Sequence, residues 1–335
     1  MLFALLLAAC DSPKKKAATA KAAADAGVSH GTYESSIQNV REQLTKSPCD
    51  KELALKLGDY LNRAKDYAGA DAWVSEYEKS CERWPRLLWV RQHACEQLEN
   101  HACAAKTGGE LIDARPSDSD YWWWRGQAEA KLGHFEKARS DYFQSMANKP
   151  TGFPAYRLAQ FADEKLKRPC DGALLIQWWL EHGKRTNEDW VDSTRSKLWL
   201  EGACGQRSGK GKTSIAAPPN APQVNVAVKV GKTPATLVLD ERAGTTAVSV
   251  ALAKKAGLEP AEDAAKVAVF AAGRIYEGPL VRVASFGVGS ATATHLDVVV
   301  VDGLPEAVDG VVGLNALMQF QVKRTPKAFE LSPLP

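Results

Sequence analysis

Residues Leu237 to Leu258 read LVLDERAGTTAVSVALAKKAGL. Three apolar residues lead into the charged loop Asp240-Glu241-Arg242; Ala243 and Thr245-Thr246 follow, and an apolar-periodic run from Val248 closes at Gly257, which fits a helix C-cap. Just upstream, VNVAVKVGKTPATLVLD alternates apolar and polar residues about Gly231-Lys232, the pattern of two strands joined by a tight turn. The stretch therefore predicts a strand hairpin, an acidic loop and a short helix over Val248–Leu258. Downstream, residues 267–301 read strand after strand, with turns expected at Gly273, Gly278 and Gly287–Gly289. VDGVVGLNALMQFQV follows, and a last strand is expected to end near Leu331. Alternation with regular turns predicts an all-β region carrying one or two short helices.

The first half is built differently. A 34-residue period runs through residues 51 to 184, clearest at SDYWWWRGQAEAKLGHFEKARSDYFQSMANKP, residues 119–150. Gly126, Leu132-Gly133, Phe135, Ala138, Tyr142 and Pro150 recur in kind as Gly58, Tyr67 and Ala70 two periods earlier, with Ala104 and Pro116 in the copy between. A weaker copy from 153 carries Tyr156 and Gly172. This pattern resembles tetratricopeptide repeats, in which paired helices cross closely at small residues.

Seven cysteines are present, and the six beyond Cys10 all lie between residues 49 and 204. In the repeat register Cys49 and Cys81 sit at adjacent ends of one antiparallel hairpin, Cys170 and Cys204 repeat that arrangement, and Cys95 and Cys103 flank a turn. The register predicts the disulfides Cys49–Cys81, Cys95–Cys103 and Cys170–Cys204. A rival for the middle pair is zinc held by His93, Cys95, His101 and Cys103. Two residues apart on a helix point about 200° apart, however, so the helix would have to break. No metal or cofactor is expected.

All ten tryptophans fall in this half, and Trp73, Trp122, Trp178, Trp179 and Trp199 are expected in the core. The resemblance places Trp89 and Trp123 at the repeat position facing the concave groove. Arg157 takes the same position in the next copy and Lys131 lies at the rim. An aromatic, basic groove suits an extended peptide or acidic segment. Residues 206–222, within GQRSGKGKTSIAAPPNAPQ, read as a Gly/Ser/Pro linker.

From residue 223 the order of strand hairpin, acidic loop, short helix, hairpin tip and Asp-Gly-hydrophobic-hydrophobic-Gly segment resembles the retropepsin-like aspartic proteases over about 110 residues. Asp240, Ala243 and the Thr245-Thr246 pair stand in register with that family's Asp-Thr-Gly-Ala loop. Val308-Asp309-Gly310-Val311-Val312-Gly313-Leu314 stands where its second motif lies, with a terminal helix expected over Asn315–Gln319, and Gly273 marks the flap tip. The fold class implied is multidomain: an all-α helical repeat array plus an all-β single-lobe acid-protease barrel. In the family two such lobes each supply one Asp, and the pair shares a proton around a water. Here Glu241 and Arg242 replace the Thr and Gly. Glu241 would bring extra carboxylates to the dimer axis, and Arg242 would put a cation in the substrate path or pair with Asp240 and oppose proton sharing. The expectation is that Asp240 is structural, accepting loop N–H groups or pairing with Arg242. Asp309 reads as a turn residue and His295 as a surface strand residue.

The first ten residues, MLFALLLAAC, fit the apolar core of a secretory signal, and Leu7-Ala8-Ala9-Cys10 resembles a bacterial lipobox with Cys10 lipidated. A polar tether over 11–34, repeats over 35–205, the linker and a protease-like domain over 223–335 complete the predicted organisation. The net charge of +3, with no basic stripe, gives no argument for nucleic acid. The expectation is an exported, lipid-anchored envelope protein that binds proteins or peptides. The alternative is a homodimeric aspartic endopeptidase, paired through the C-terminal domain, with Asp240 as catalytic carboxylate.

Overall fold

The structure is a computed structural model that describes residues 33–149, 161–182, 189–202, 204, 209–218, 223–305 and 307–334. Cys10, Tyr156 and Arg157 lie outside the described residues. The chain forms two compact units, Met1–Asn100 and His101–Pro335.

The first unit is helical: α1 (Glu34–Lys46), α2 (Lys51–Arg63), α3 (Tyr67–Ser80) and α4 (Pro85–Gln97). Local chemistry sets the helix starts. Asp50 caps α2 by accepting the Leu53 amide at 2.9 Å, Asp66 caps α3 through the Gly69 amide at 2.9 Å, and Pro85 opens α4, where its missing N–H costs nothing. Val40, Leu57, Leu61, Val74, Leu87 and Val90 form the core. Gly58 is required by close approach, since a Cβ there would meet the Val90 side chain at 2.6 Å. Cys49 and Cys81 form a disulfide with Cα atoms 5.4 Å apart.

The second unit carries α5 (His101–Ala114), α6 (Ser119–Lys131), α7 (Phe135–Asn148), α8 (Pro169–His182) and α9 (Asp189–Glu201), then the strands. Helix starts at 51, 85 and 119, and at 67, 101 and 135, reproduce the 34-residue period. Gly126 sits where α6 crosses α7, and a Cβ there would press on Tyr142 at 3.0 Å. Cys170 and Cys204 form a second disulfide, with Cα atoms 5.3 Å apart. Cys95 and Cys103 are each disulfide-bonded, so neither offers the thiolate a zinc ion would need.

The strands are β1 (Thr213–Ala216), β2 (Val224–Val230), β3 (Thr233–Leu239), β4 (Thr246–Ser249), β5 (Lys266–Ala271), β6 (Arg274–Val288), β7 (Ala291–Val301), β8 (Gly310–Val312), β9 (Gln321–Arg324) and β10 (Ala328–Ser332), with short helices α10 (Val250–Lys255) and α11 (Leu314–Leu317). Seven strands form one sheet in the order β2-β3-β8-β4-β7-β6-β5, and β2 also pairs with β6, so the sheet curls back on itself. β8 lies between β3, which it meets in parallel, and β4, which it meets antiparallel. A separate sheet runs β1-β10-β9.

Several boundaries differ from the sequence reading. The stretch read as a linker contains β1, which pairs with β10, and Lys210 bridges to Thr292. Thr213 to Ala216 is too short, among Lys, Gly and Pro, to stand out as a strand. Gly278 is no turn but the interior of β6; a Cβ there would collide with the Val300 carbonyl oxygen, so glycine permits close approach. α10 starts two residues late because β4 extends through Ser249, which then caps it; Gly257, with φ +66°, ends that turn. The terminal helix occupies Leu314–Leu317 rather than 315–319.

The helices and strands of the second unit share one core. Ala138, Phe143 and Met146 of α7 and Leu175 of α8 pack in one cluster with Leu237, Phe286, Val298 and Phe320. A boundary drawn at residues 206–222 therefore does not divide this core. No helix among the described residues is long and apolar enough to cross a membrane.

Candidate functional site

The Asp240–Gly244 loop leaves β3 and is locked onto the β8–α11 segment. The Asp240 amide donates to Val312 O at 3.1 Å, Leu314 N to Ala243 O at 2.8 Å and Asn315 N to Gly244 O at 3.2 Å. Behind the loop, buried Thr246 and Asn315 form a polar knot. Asn315 Oδ1 accepts both the Thr246 amide and its hydroxyl at 2.8 Å, and Thr246 Oγ1 accepts the Gly313 amide at 3.1 Å. Asn315 Nδ2 donates to Asp297 O at 2.6 Å. Asp309 accepts the Thr236 amide at 2.9 Å, a structural use at the edge of β3.

Both carboxylate oxygens of Asp240 are engaged. Oδ1 accepts the Arg242 amide at 3.0 Å, and Oδ2 accepts the Ala272 amide at 3.1 Å. Ala272 and Gly273, at φ +50° and +77°, form the tip of the β5–β6 hairpin. The flap tip is thus fastened to the acidic residue beneath it. The Arg242 guanidinium lies 3.7 Å from Asp240 Oδ1, yet its side chain is 75% exposed while that of Asp240 is only 14% exposed. Glu241 forms an ion pair with Arg324 of β9, which stacks on Phe329 with its guanidinium carbon 4.7 Å from the ring centre. Sequence reasoning anticipated the Arg242 pairing and missed Arg324.

It also missed α7. Gln144, 1% exposed, lies between loop and flap. Its Oε1 accepts the Gly244 and Phe270 amides, each at 3.0 Å, and its Nε2 donates to Arg242 O at 2.6 Å and to Asn148 Oδ1 at 3.2 Å. One turn earlier, Ser140 donates to Ala268 O at 3.2 Å. Gly244 packs so tightly on α7 that a Cβ would overlap the Gln144 backbone. β5 is the end strand of its sheet, and Ser140 and Gln144, four apart on one helix face, satisfy edge groups that a neighbouring strand would otherwise take. Ile112 and Trp122 cover Ala268 and Phe270 on the same strand. The sequence carried no distinct signal for it, because α7 also bears Glu136, Lys137, Arg139, Asp141 and Ser145.

Below this lies a buried ion network. The Asp297 carboxylate accepts from Arg139 at 2.7 Å, Arg168 at 3.0 Å and Arg282 at 2.8 and 2.9 Å. Arg139 also reaches Asp171 at 2.7 Å, and Arg168 reaches Glu136 at 2.7 Å. Burial pushes the Asp297 carboxyl up, but the Arg139, Arg282 and Arg168 cations outweigh it and hold the group below the usual carboxylate range.

The groove residues separate by unit. In the first, Trp89 is 46% exposed and stacks on His93 with ring centres 6.4 Å apart; His93 meets the edge of Tyr67 at 5.9 Å. In the second, Trp123 is half-buried against Tyr142 at 4.9 Å, and Lys131 is exposed.

Residues 226–319 match the family model described as gag-polyprotein putative aspartyl protease, and residues 97–153 match a tetratricopeptide repeat model. A retropepsin-like aspartic protease from Rickettsia conorii aligns at 16% identity and TM-score 0.27, over 36% of this chain and 89% of its own. A tetratricopeptide repeat protein from Parabacteroides merdae aligns at 14% identity and TM-score 0.41, over 58% and 76%. A tetratricopeptide repeat protein from Thermus thermophilus aligns at 16% identity and TM-score 0.32, over 46% and 84%. No curated protein matches the chain. The chain joins tetratricopeptide repeats to a retropepsin-like domain.

Proposed function

We propose that this chain is a protein- or peptide-binding module whose retropepsin-like domain does not cut peptide bonds. One observation carries the reading: the acidic loop, the flap and α7 are bonded to one another, so the ground a substrate would occupy is taken. Acid-dyad catalysis needs two carboxylates near one water. Asp240 accepts one backbone amide on each carboxylate oxygen, from its own loop and from the flap tip, which ties the flap down over it. Gln144 of α7 holds the carbonyl of Arg242 and the amide of Gly244, which fixes the acidic loop against the helix. Ligand capture then falls to the helical surfaces, with the exposed Trp89–His93 stack in the first unit as an aromatic platform and Lys131 as a cation in the second.

On the same reading the chain works outside the cytoplasm, held to a bacterial membrane by lipid on Cys10. The disulfides Cys49–Cys81 and Cys170–Cys204 suit an oxidising compartment.

A second reading is a homodimeric aspartic endopeptidase, favoured by the retained Asp240 and the protease-family match over 226–319. Digestion of an unfolded polypeptide by purified protein between pH 4 and 7 separates the two, with Asp240→Asn as control. The binding reading expects no turnover above background in either protein. Turnover abolished by Asp240→Asn would establish the protease.

A further inference from the structure

Two 34-residue periods carry α3 onto α7, which start at residues 67 and 135, and carry α1 onto α5 within one residue. The face of α5 and α7 that seats β5 therefore has a counterpart between α1 and α3 in the first unit. In the seat, Ile112 packs with Ala268 and Phe270, Ser140 donates to Ala268 O and Gln144 accepts the Phe270 amide. Two periods earlier stand Leu44, Ala72 and Glu76, and all three line one open groove of about 490 Å³. Where the seat carries the ion pair Arg125–Asp141, the groove has Leu57 and Trp73, so it is the more apolar of the two. The Trp73 indole N–H donates to Ala54 O at 3.0 Å and the Tyr77 hydroxyl to Cys49 O at 3.1 Å, so the polar tips of both lining rings are already satisfied within the fold. Arg41 on the α1 wall and Glu76 on the α3 wall are exposed, and neither has an ion-pair partner among the described residues.

We propose that the groove between α1 and α3 is a docking site for an extended, apolar strand of a partner protein, held as β5 is held two periods further on. The same helix face already forms an interface with a strand in the second unit, and the groove repeats its positions with a more apolar lining. An extended backbone offers both N–H and C=O groups along its length. Glu76 accepts from the first and Arg41 donates to the second, while Leu44, Leu57 and Trp73 take the side chains between them. β5 itself does not fill the groove, because Ser140 and Gln144 hold it on α7, in this chain and in any second copy. Neither Trp89 nor His93 lines the groove, and the proposal does not rest on that aromatic platform.

The test is fluorescence anisotropy of the full chain with a labelled peptide of the β5 sequence Lys-Val-Ala-Val-Phe-Ala, residues 266–271, carrying an added lysine at each end for solubility. The control is the same peptide N-methylated at its central Ala and its Phe, which keeps every side chain and removes two N–H donors. Saturable binding of the first peptide is expected, with about ten-fold weaker binding of the control. Ala72 is exposed in the lining, and Ala72→Arg should weaken the peptide about ten-fold by occupying the groove. Glu76→Ala should weaken it about three- to ten-fold by removing the acceptor. Both positions are exposed, so circular dichroism and melting temperature should hold. The proposal is overturned if the peptide fails to saturate at millimolar concentration, if the N-methylated control binds equally, or if both variants bind like wild type, which would place the peptide on another surface. Sedimentation showing a dimer that Ala72→Arg dissolves would also overturn it, by giving the groove to a second copy.

Discussion

Replacing Asp297 with Asn keeps the shape of the side chain and removes the charge on which three arginines converge. Arg139 and Arg168 retain Asp171 and Glu136, while Arg282 keeps no other partner within 4 Å among the described residues. The Arg139 side chain is 6% exposed, so solvent cannot restore what the carboxylate supplied. Removing one partner of a buried ion pair costs about 3–5 kcal/mol, and the surviving acids put this case near 3 kcal/mol. For a domain of 150–250 residues that corresponds to a fall in melting temperature of about 6–12 °C. The pH dependence has a definite sign. The folded carboxyl titrates below its unfolded value near 4, so its contribution is complete above about pH 4 and fades as pH falls through the folded value. Urea unfolding of wild type and Asp297→Asn, followed by far-ultraviolet circular dichroism, should therefore show a gap near 3 kcal/mol at pH 7 that narrows below pH 4. A gap under 1 kcal/mol at pH 7, or one unchanged at pH 2.5, would refute the assignment of this network as a stabilising anchor.

Gln144→Leu strands the Gly244 and Phe270 amides and the Arg242 carbonyl; at about 1–3 kcal/mol for each unmet buried group, the loss on urea unfolding should be at least 2 kcal/mol. Asn315→Leu leaves the Thr246 amide and Asp297 carbonyl without their partner and should cost about 2–3 kcal/mol, read as a lower urea midpoint. Cys81→Ser opens a disulfide spanning 32 residues and should cost about 2–4 kcal/mol, measured by thermal unfolding without reductant.

The helical half was readable because its spacing is physical. Gly58 and Gly126 recur where crossing helices leave no room for a Cβ, and a fixed 34-residue step links the helix starts at 51, 85 and 119 and those at 67, 101, 135 and 169. The acidic loop and the Gly310–Gly313 segment were readable as local strings, in the order of the family pattern. What covers them was not readable. Gln144 meets Arg242 across 98 positions and Arg139 meets Asp297 across 158, and neither helix residue differs in type from one on a solvated face. Periodicity reports that a face is buried, never which surface buries it. The partner of Glu241 was hidden for the same reason, since Arg324 lies on β9, far from the loop along the chain.

The carboxamide of Gln144 bears on how the molecule can be dissected. A fragment beginning at residue 209 would retain every strand yet lose α5 through α9. It would present the bare edge of β5, with Ala268 O and Phe270 N unmet and the Phe270 and Ile275 side chains stripped of Ile112 and Trp122. An unprotected apolar edge invites association with its own kind. Such a fragment should precipitate on expression, and the shortest soluble piece holding the acidic loop should reach back to His101.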